Sequence, residues 1–227
     1  MNSVLNDLKF KHPFTCLVSG MTSSGKTVLV RRILSNWKTL IDIDKQNLNV
    51  LWCYGQMQEL YKKDIPNVST NYISGKPTET SFELYKPDII VFDDLMDELK
   101  NDENISNFFT RGSHHRNISV IYIVQNLFNQ GKCMRNISLN CHYMIIMKGI
   151  RSAQQISVLG SQLFPGKTKS LKKIYNKATE KPFSYLIFDL HPRSNDKFRI
   201  RTRITREELG GNLARKNSFA PIYFELS

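Results

Sequence analysis

A chain of 227 residues, 41 % of them hydrophobic, has the material for one sizeable core and the composition of an ordinary soluble globular protein. No run approaches the roughly 20 apolar residues of a membrane span, no basic start with an apolar h-region opens the chain, and Cys16, Cys53, Cys133 and Cys141 form no C-x-x-C pair, so membrane, secreted and disulfide-framework classes are not expected. The net charge of +12 is uneven, with 16 Lys+Arg against 14 Asp+Glu in residues 1–147 and 16 against 6 in residues 148–227, so the last third carries a field that attracts polyanions, nucleic acid before acidic lipid or protein.

Short apolar, β-branched runs at 14–20 ("FTCLVSG"), 49–55 ("NVLWCYG"), 88–94 ("DIIVFDD"), 118–124 ("ISVIYIV") and 143–148 ("YMIIMK") read as buried parallel strands. After the first, "KTVLVRRILSNW" sets Val30, Ile33, Leu34 and Trp37 at helical spacing. Residues 56–87, rich in Ser, Thr, Asn and Pro, read as a connection with one edge element near Tyr72. "NDENISNFFTR" is a second crossover helix through Ile105, Phe108 and Phe109. A third starts at Ser152, where Gln155 suits a capping box, buries Ile156, Leu159 and Leu163, and stops at Pro165. "SYLIFDL" (184–190) and "FRIRTRI" (198–204) form a late antiparallel pair, the second alternating Ile200, Thr202 and Ile204 with Arg199, Arg201 and Arg203. The expectation is one α/β domain over residues 1–227, with a core at about 10–160 and a basic extension at about 161–227.

"GMTSSGKT" fits G-x-x-x-x-G-K-[ST] and stands between a strand and a helix, the context a phosphate loop requires. Its glycines let the backbone curl so that successive N–H groups and a helix N-terminus face phosphates. Gly20, Met21, Thr22, Ser23, Ser24, Gly25, Lys26 and Thr27 are therefore the expected nucleotide cradle, Lys26 neutralising the β- and γ-phosphates and Thr27 ligating Mg²⁺. ATP and Mg²⁺ are the expected ligands.

The metal needs a second oxygen ligand, and "DIIVFDD" supplies it by placing Asp93 at the end of a buried strand, in the manner of a Walker B motif. Asp94 is the candidate general base, with Asp97 and Glu98 as rivals that suit the first turn of a following helix better. Gln125, emerging with Asn126 from an all-apolar strand, is placed to sense the γ-phosphate or the attacking water. Arg111 and Arg116 in "TRGSHHRN" sit near one edge of the expected site and are candidate arginine fingers toward a neighbouring subunit, whereas His114 and His115 read as loop residues. Cys133, Cys141 and His142 are a conceivable zinc set, but at none of the usual spacings.

The set "GMTSSGKT", "IIVFDD" and "RGSHHRNISVIYIVQNLF", in this order and spacing, resembles the FtsK/HerA superfamily of DNA-pumping ATPases. Within it the chain looks like the genome-packaging ATPases of poxviruses, other large DNA viruses, virophages and Polinton/Maverick elements, over roughly residues 10–160. The resemblance implies a three-layer P-loop NTPase fold of the additional-strand, RecA-like type, with a mainly parallel sheet. It also implies a homo-oligomeric ring, a pentamer or hexamer, that threads double-stranded DNA into a capsid and meets capsid vertex or portal proteins, with no membrane partner. The implied location is intracellular, in the host cytoplasm, viral factory or nucleus, or with the virion. The residues matched are Lys26, Thr27, Asp93, Asp94 and Gln125. DNA contacts are inferred from charge alone, at Lys167, Lys169, Lys172, Lys173, Arg199, Arg201 and Arg203, and would read phosphates rather than bases. The alternatives are a helicase or DNA-transfer ATPase, and a scaffold that holds nucleotide without turnover.

Overall fold

The computed structural model describes residues 6–95, 116–127, 132–205, 208 and 222–226, without the side chains of 132–135. The chain opens with β1 (Phe10–Lys11), β2 (Thr15–Ser19), α1 (Lys26–Ser35), α2 (Trp37–Leu40) and β3 (Ile41–Asp42). It continues through β4 (Leu48–Tyr54), β5 (Val68–Ser74), α3 (Glu79–Tyr85) and β6 (Ile89–Asp93). After the undescribed stretch come β7 (Ser119–Val124), α4 (Lys132–Asn140), β8 (Tyr143–Met147), α5 (Ser152–Leu163) and α6 (Thr168–Ala178). The basic third closes with β9 (Tyr185–Asp189), β10 (Ile200–Thr202) and β11 (Ile222–Tyr223).

Nine strands form one sheet in the order β11-β10-β9-β8-β2-β7-β6-β4-β5. From β8 to β5 every pairing is parallel, and β9, β10 and β11 each add antiparallel. β7 therefore separates β2 from β6, which is the additional-strand arrangement expected. The central parallel strands β2, β6, β7 and β8 read as apolar runs because both of their faces are covered. Leu17, Phe92, Tyr122 and Ile146 join Ile156, Leu159, Leu171 and Tyr175 on the face packed by α5 and α6. Cys16, Val18, Val91 and Ile121 join Val30, Ile33, Leu34 and Trp37 on the face packed by α1 and α2. Helices on both sides of the sheet make three layers.

Several expectations change in detail. The segment 56–87 holds more than a connection: β5 pairs along its whole length with β4, and α3 is opened by a capping box between Thr78 and Ser81. Ser152 begins α5, but its hydroxyl donates to Met147 O at 3.2 Å and the cap is Arg151, so no capping box forms with Gln155. The helix expected at 101–111 lies outside the described residues. Cys16, Cys53 and Cys141 are free and buried. His142 Nδ1 accepts from Thr15 N at 3.1 Å, and no cluster of three metal-ligating side chains occurs among the described residues. No described helix is long and apolar enough to cross a membrane.

Candidate functional site

β2, β6 and β7 end together at one edge of the sheet, and each delivers one part of the site. β2 runs into the loop, β6 ends on Asp93, and Gln125 follows β7. The loop's two glycines are needed for different reasons. Gly25 takes φ +91°, the left-handed conformation that turns the chain into α1. At Gly20 a Cβ would lie 2.6 Å from Met147 Cβ, so the neighbouring strand β8 leaves no room for a side chain.

Lys26 Nζ donates to Gly20 O at 2.7 Å and Met21 O at 2.8 Å, which holds the ammonium against the loop backbone. Burial lowers its pKa, and the carboxylates of Asp93 and Asp94 oppose that shift. Thr27 Oγ1 donates to Asp93 Oδ2 at 3.0 Å, and the hydroxyl of Tyr61 donates to the same oxygen at 2.9 Å. Asp93 is only 3 % exposed; burial pushes its pKa up, against the hydrogen bonds from Tyr61 and Thr27 and the charge of Lys26. Asp94, by contrast, is exposed and held at φ +57°. Gln125 Nε2 lies 3.5 Å from Asp94 Oδ1, a long contact. Lys26, Thr27, Asp93, Asp94 and Gln125 line one cavity of about 440 Å³ together with Thr22, Ser23, Gly25 and Phe183.

The donor set suits Mg²⁺ bound jointly with a nucleotide. Thr27 and Asp93 offer two adjacent oxygens, and Mg²⁺ usually takes one or two protein oxygens, phosphate oxygens and several waters rather than a full protein cage.

Other sequence expectations fall elsewhere. Arg116 precedes β7 and so stands at the end of that strand opposite Gln125, about 20 Å away along six strand residues. Its Nη1 and Nη2 donate to the two carboxylate oxygens of Glu79 at 3.0 and 2.9 Å, and its guanidinium lies 4.9 Å from the Phe82 ring centroid. Arg116 is thus not at the edge of the site, contrary to expectation. Arg111, Asp97, Glu98, His114 and His115 lie outside the described residues.

The expected DNA-contacting residues separate into two groups. Lys169, Lys172 and Lys173 are exposed on α6, whose Leu171, Tyr175 and Ala178 face the core, and exposed Lys167 donates to Leu226 O at 2.9 Å. Arg201 is fully buried, its Nη1 donating to Asp189 Oδ2 at 2.8 Å and to Phe198 O at 2.8 Å. It cannot meet a phosphate from there, so that expectation is corrected. Arg199 is turned inward onto Asp189 O, His191 O and Ser194 O, with Nε on Asp196. Arg203 is half-buried at φ +52°. The strand alternation failed as a guide because β10 is flanked by β9 and β11 and is buried on both faces.

Three features escaped the sequence reading. Tyr61 reaches Asp93 from a short 3₁₀ turn, Glu59–Lys62, in a segment with no periodic signal. Phe183 lines the cavity from the connection between α6 and β9. Gln155, buried on α5, accepts from Ser19 Oγ at 3.3 Å and donates to Asn126 Oδ1 at 3.2 Å, joining the sensor end of β7 to the strand before the loop. Only Asn126 carried a signal, as the second member of a polar pair ending an apolar strand.

No protein-family model matches the chain, and no curated protein matches its sequence. Among solved structures it is similar to B204, the DNA-packaging ATPase from Sulfolobus turreted icosahedral virus, with a TM-score of 0.53 and 11 % identity over 80 % of this chain and 94 % of that one. The genome-packaging NTPase B204 from Sulfolobus turreted icosahedral virus 2, in complex with ATP-gammaS, gives 0.52 and 13 % over 78 % and 93 %. The fold is that of a P-loop ATPase. This likeness is one of fold and covers most of both chains.

Proposed function

We propose that this protein is an ATP-hydrolysing motor that moves double-stranded DNA into a capsid as a homo-oligomeric ring. The observation that carries the ATPase reading is the Thr27–Asp93 hydrogen bond, which joins the two motifs at the sheet edge where Gln125 also emerges. In this reading the loop backbone and Lys26 bind the phosphates, and Thr27 and Asp93 hold Mg²⁺, which supplies charge to the transferring phosphoryl group. Asp94 takes the proton of the attacking water and Gln125 orients that water beside it. An arginine from the next subunit adds positive charge, with Arg111 and Arg116 as the candidates; Arg116 would leave its exposed pair with Glu79 to serve there.

Packaging, rather than another use of the fold, is supported by two things. One is the exposed lysine face of α6, which suits sequence-independent phosphate contacts. The other is the shared fold with packaging proteins. The deciding experiment measures ATP turnover by the pure protein with and without duplex DNA, alongside a strand-separation assay. Turnover stimulated by duplex without strand separation is expected. Unwinding would favour a helicase, and nucleotide binding without turnover in assembled rings would favour a scaffold.

A further inference from the structure

The cavity beside the phosphate loop has an apolar wall for which phosphate chemistry has no use. Phe183 is 67 % exposed and Val28, in the first turn of α1, is 49 % exposed, and both line the cavity that holds Lys26, Asp93 and Gln125. Exposed large side chains are common, but Phe183 is also held at φ +59°, a region that a bulky aromatic residue rarely enters unless its surroundings impose it. The imposing contacts are visible on both sides of it. Lys148 N donates to Ser184 O at 2.8 Å and Lys148 Nζ donates to Glu180 O, which ties the 180–184 connection to the end of β8. The ring itself lies against the loop, so close that a Cβ on Gly25 would stand 3.2 Å from Phe183 Cδ1.

We infer that Phe183 is the platform on which the base of the bound nucleotide stacks, with Val28 completing the apolar wall. This rests on the nucleotide reading of the site and adds to it the recognition of the base, which the phosphate loop does not touch. An aromatic face reads the π-surface of a base rather than its edges, so the site favours purines over pyrimidines and separates adenine from guanine weakly.

The test compares two ligands that share phosphates and differ in the base: ATP and inorganic tripolyphosphate, each with Mg²⁺, measured by calorimetry. Phe183→Ala and Phe183→Asn should each weaken ATP binding about tenfold, within the range aromatic–base stacking gives, and leave tripolyphosphate binding within twofold of the wild type. The Asn variant matters because Asn tolerates the left-handed backbone, so its loss cannot come from a collapsed connection. Phe183→Trp should keep ATP affinity, and its fluorescence should be quenched by ATP but not by tripolyphosphate. Equal weakening of both ligands, or unchanged ATP affinity in the Ala and Asn variants, would overturn the stacking role while leaving the phosphate site intact. A wild-type protein that binds neither ligand would overturn the nucleotide reading and the stacking role together.

Discussion

Asp93 is a carboxylate kept where a carboxylate is costly. Because burial raises its folded-state pKa, the folded protein holds the proton more tightly than the unfolded chain, whose Asp titrates near ~3.9. Stability is therefore lost as pH rises from about 4 through the raised folded value, and it stays reduced above that. Asp93→Asn should raise the melting temperature of the nucleotide-free protein at neutral pH, flatten that pH dependence, and abolish Mg²⁺-dependent turnover. A thermal melt series across pH checks it; a wild type that gains stability relative to the Asn variant over that window would refute the argument. The buried ion pair of Arg201 with Asp189 has the opposite logic. Removing Arg201 leaves Asp189 charged and enclosed, so Arg201→Met should cost roughly 3–5 kcal/mol in urea unfolding. Arg201 Nε and Nη2 find no hydrogen-bond partner among the described residues, so the pair is imperfectly satisfied. Adding Asp189→Leu should then recover most of the loss. Lys26, Thr27 and Asp93 were legible in the sequence because fixed spacing and strand context define them, whereas nothing in the alternating arginines of 199–203 distinguished an outward charge from an enclosed one.

Strands and helices were legible in proportion to how completely they are buried. β2, β6, β7 and β8 stand within one residue of their apolar runs, since a strand covered on both faces has no reason to carry polar residues. β5 lies at the sheet edge with mostly half-buried side chains, so "VSTNYIS" has neither an unbroken apolar run nor a clean alternation. α6 was hidden by charge, because a helix that buries only Leu171, Tyr175 and Ala178 among lysines reads first as a basic tail. The turn after β4 has a stricter requirement than its sequence suggests. A Cβ on Gly55 would stand 2.2 Å from the backbone O of Asp94, so Gly55→Ala must move the chain that holds Asp94. Overpacking of this kind typically costs about 1–3 kcal/mol. We expect Gly55→Ala to lower kcat strongly while ATP affinity changes little, because the phosphate loop lies on a different connection. Steady-state turnover beside nucleotide titration separates the two, and a matched loss of both would mean that the damage spreads through the fold.

Among the described residues of the basic third, Lys169, Lys172 and Lys173 stand exposed on α6, whereas Arg201 of β10 is enclosed. Neutralising Lys169, Lys172 and Lys173 together should weaken duplex binding irrespective of sequence and reduce the slope of log K against log salt by about 0.9 for each DNA phosphate that the protein no longer neutralises. An unaltered slope in that variant would put the DNA path on another surface. The order of strands also governs how the protein comes into being. β2, which leads into the phosphate loop, pairs with strands far downstream: Thr15 stands opposite Val120 and Cys16 opposite Tyr143. During synthesis this buried five-residue strand emerges before both of its neighbours and waits for them, at a loop-closure cost that slows folding and prolongs exposure to aggregation. Gly20 also packs against Met147, so the loop lacks its backing until β8 has left the ribosome. Nucleotide is therefore expected to stabilise the finished sheet rather than to act as a template for the nascent chain. The loop is thus made before the strand that backs it, and it becomes competent only once the chain through Met147 exists.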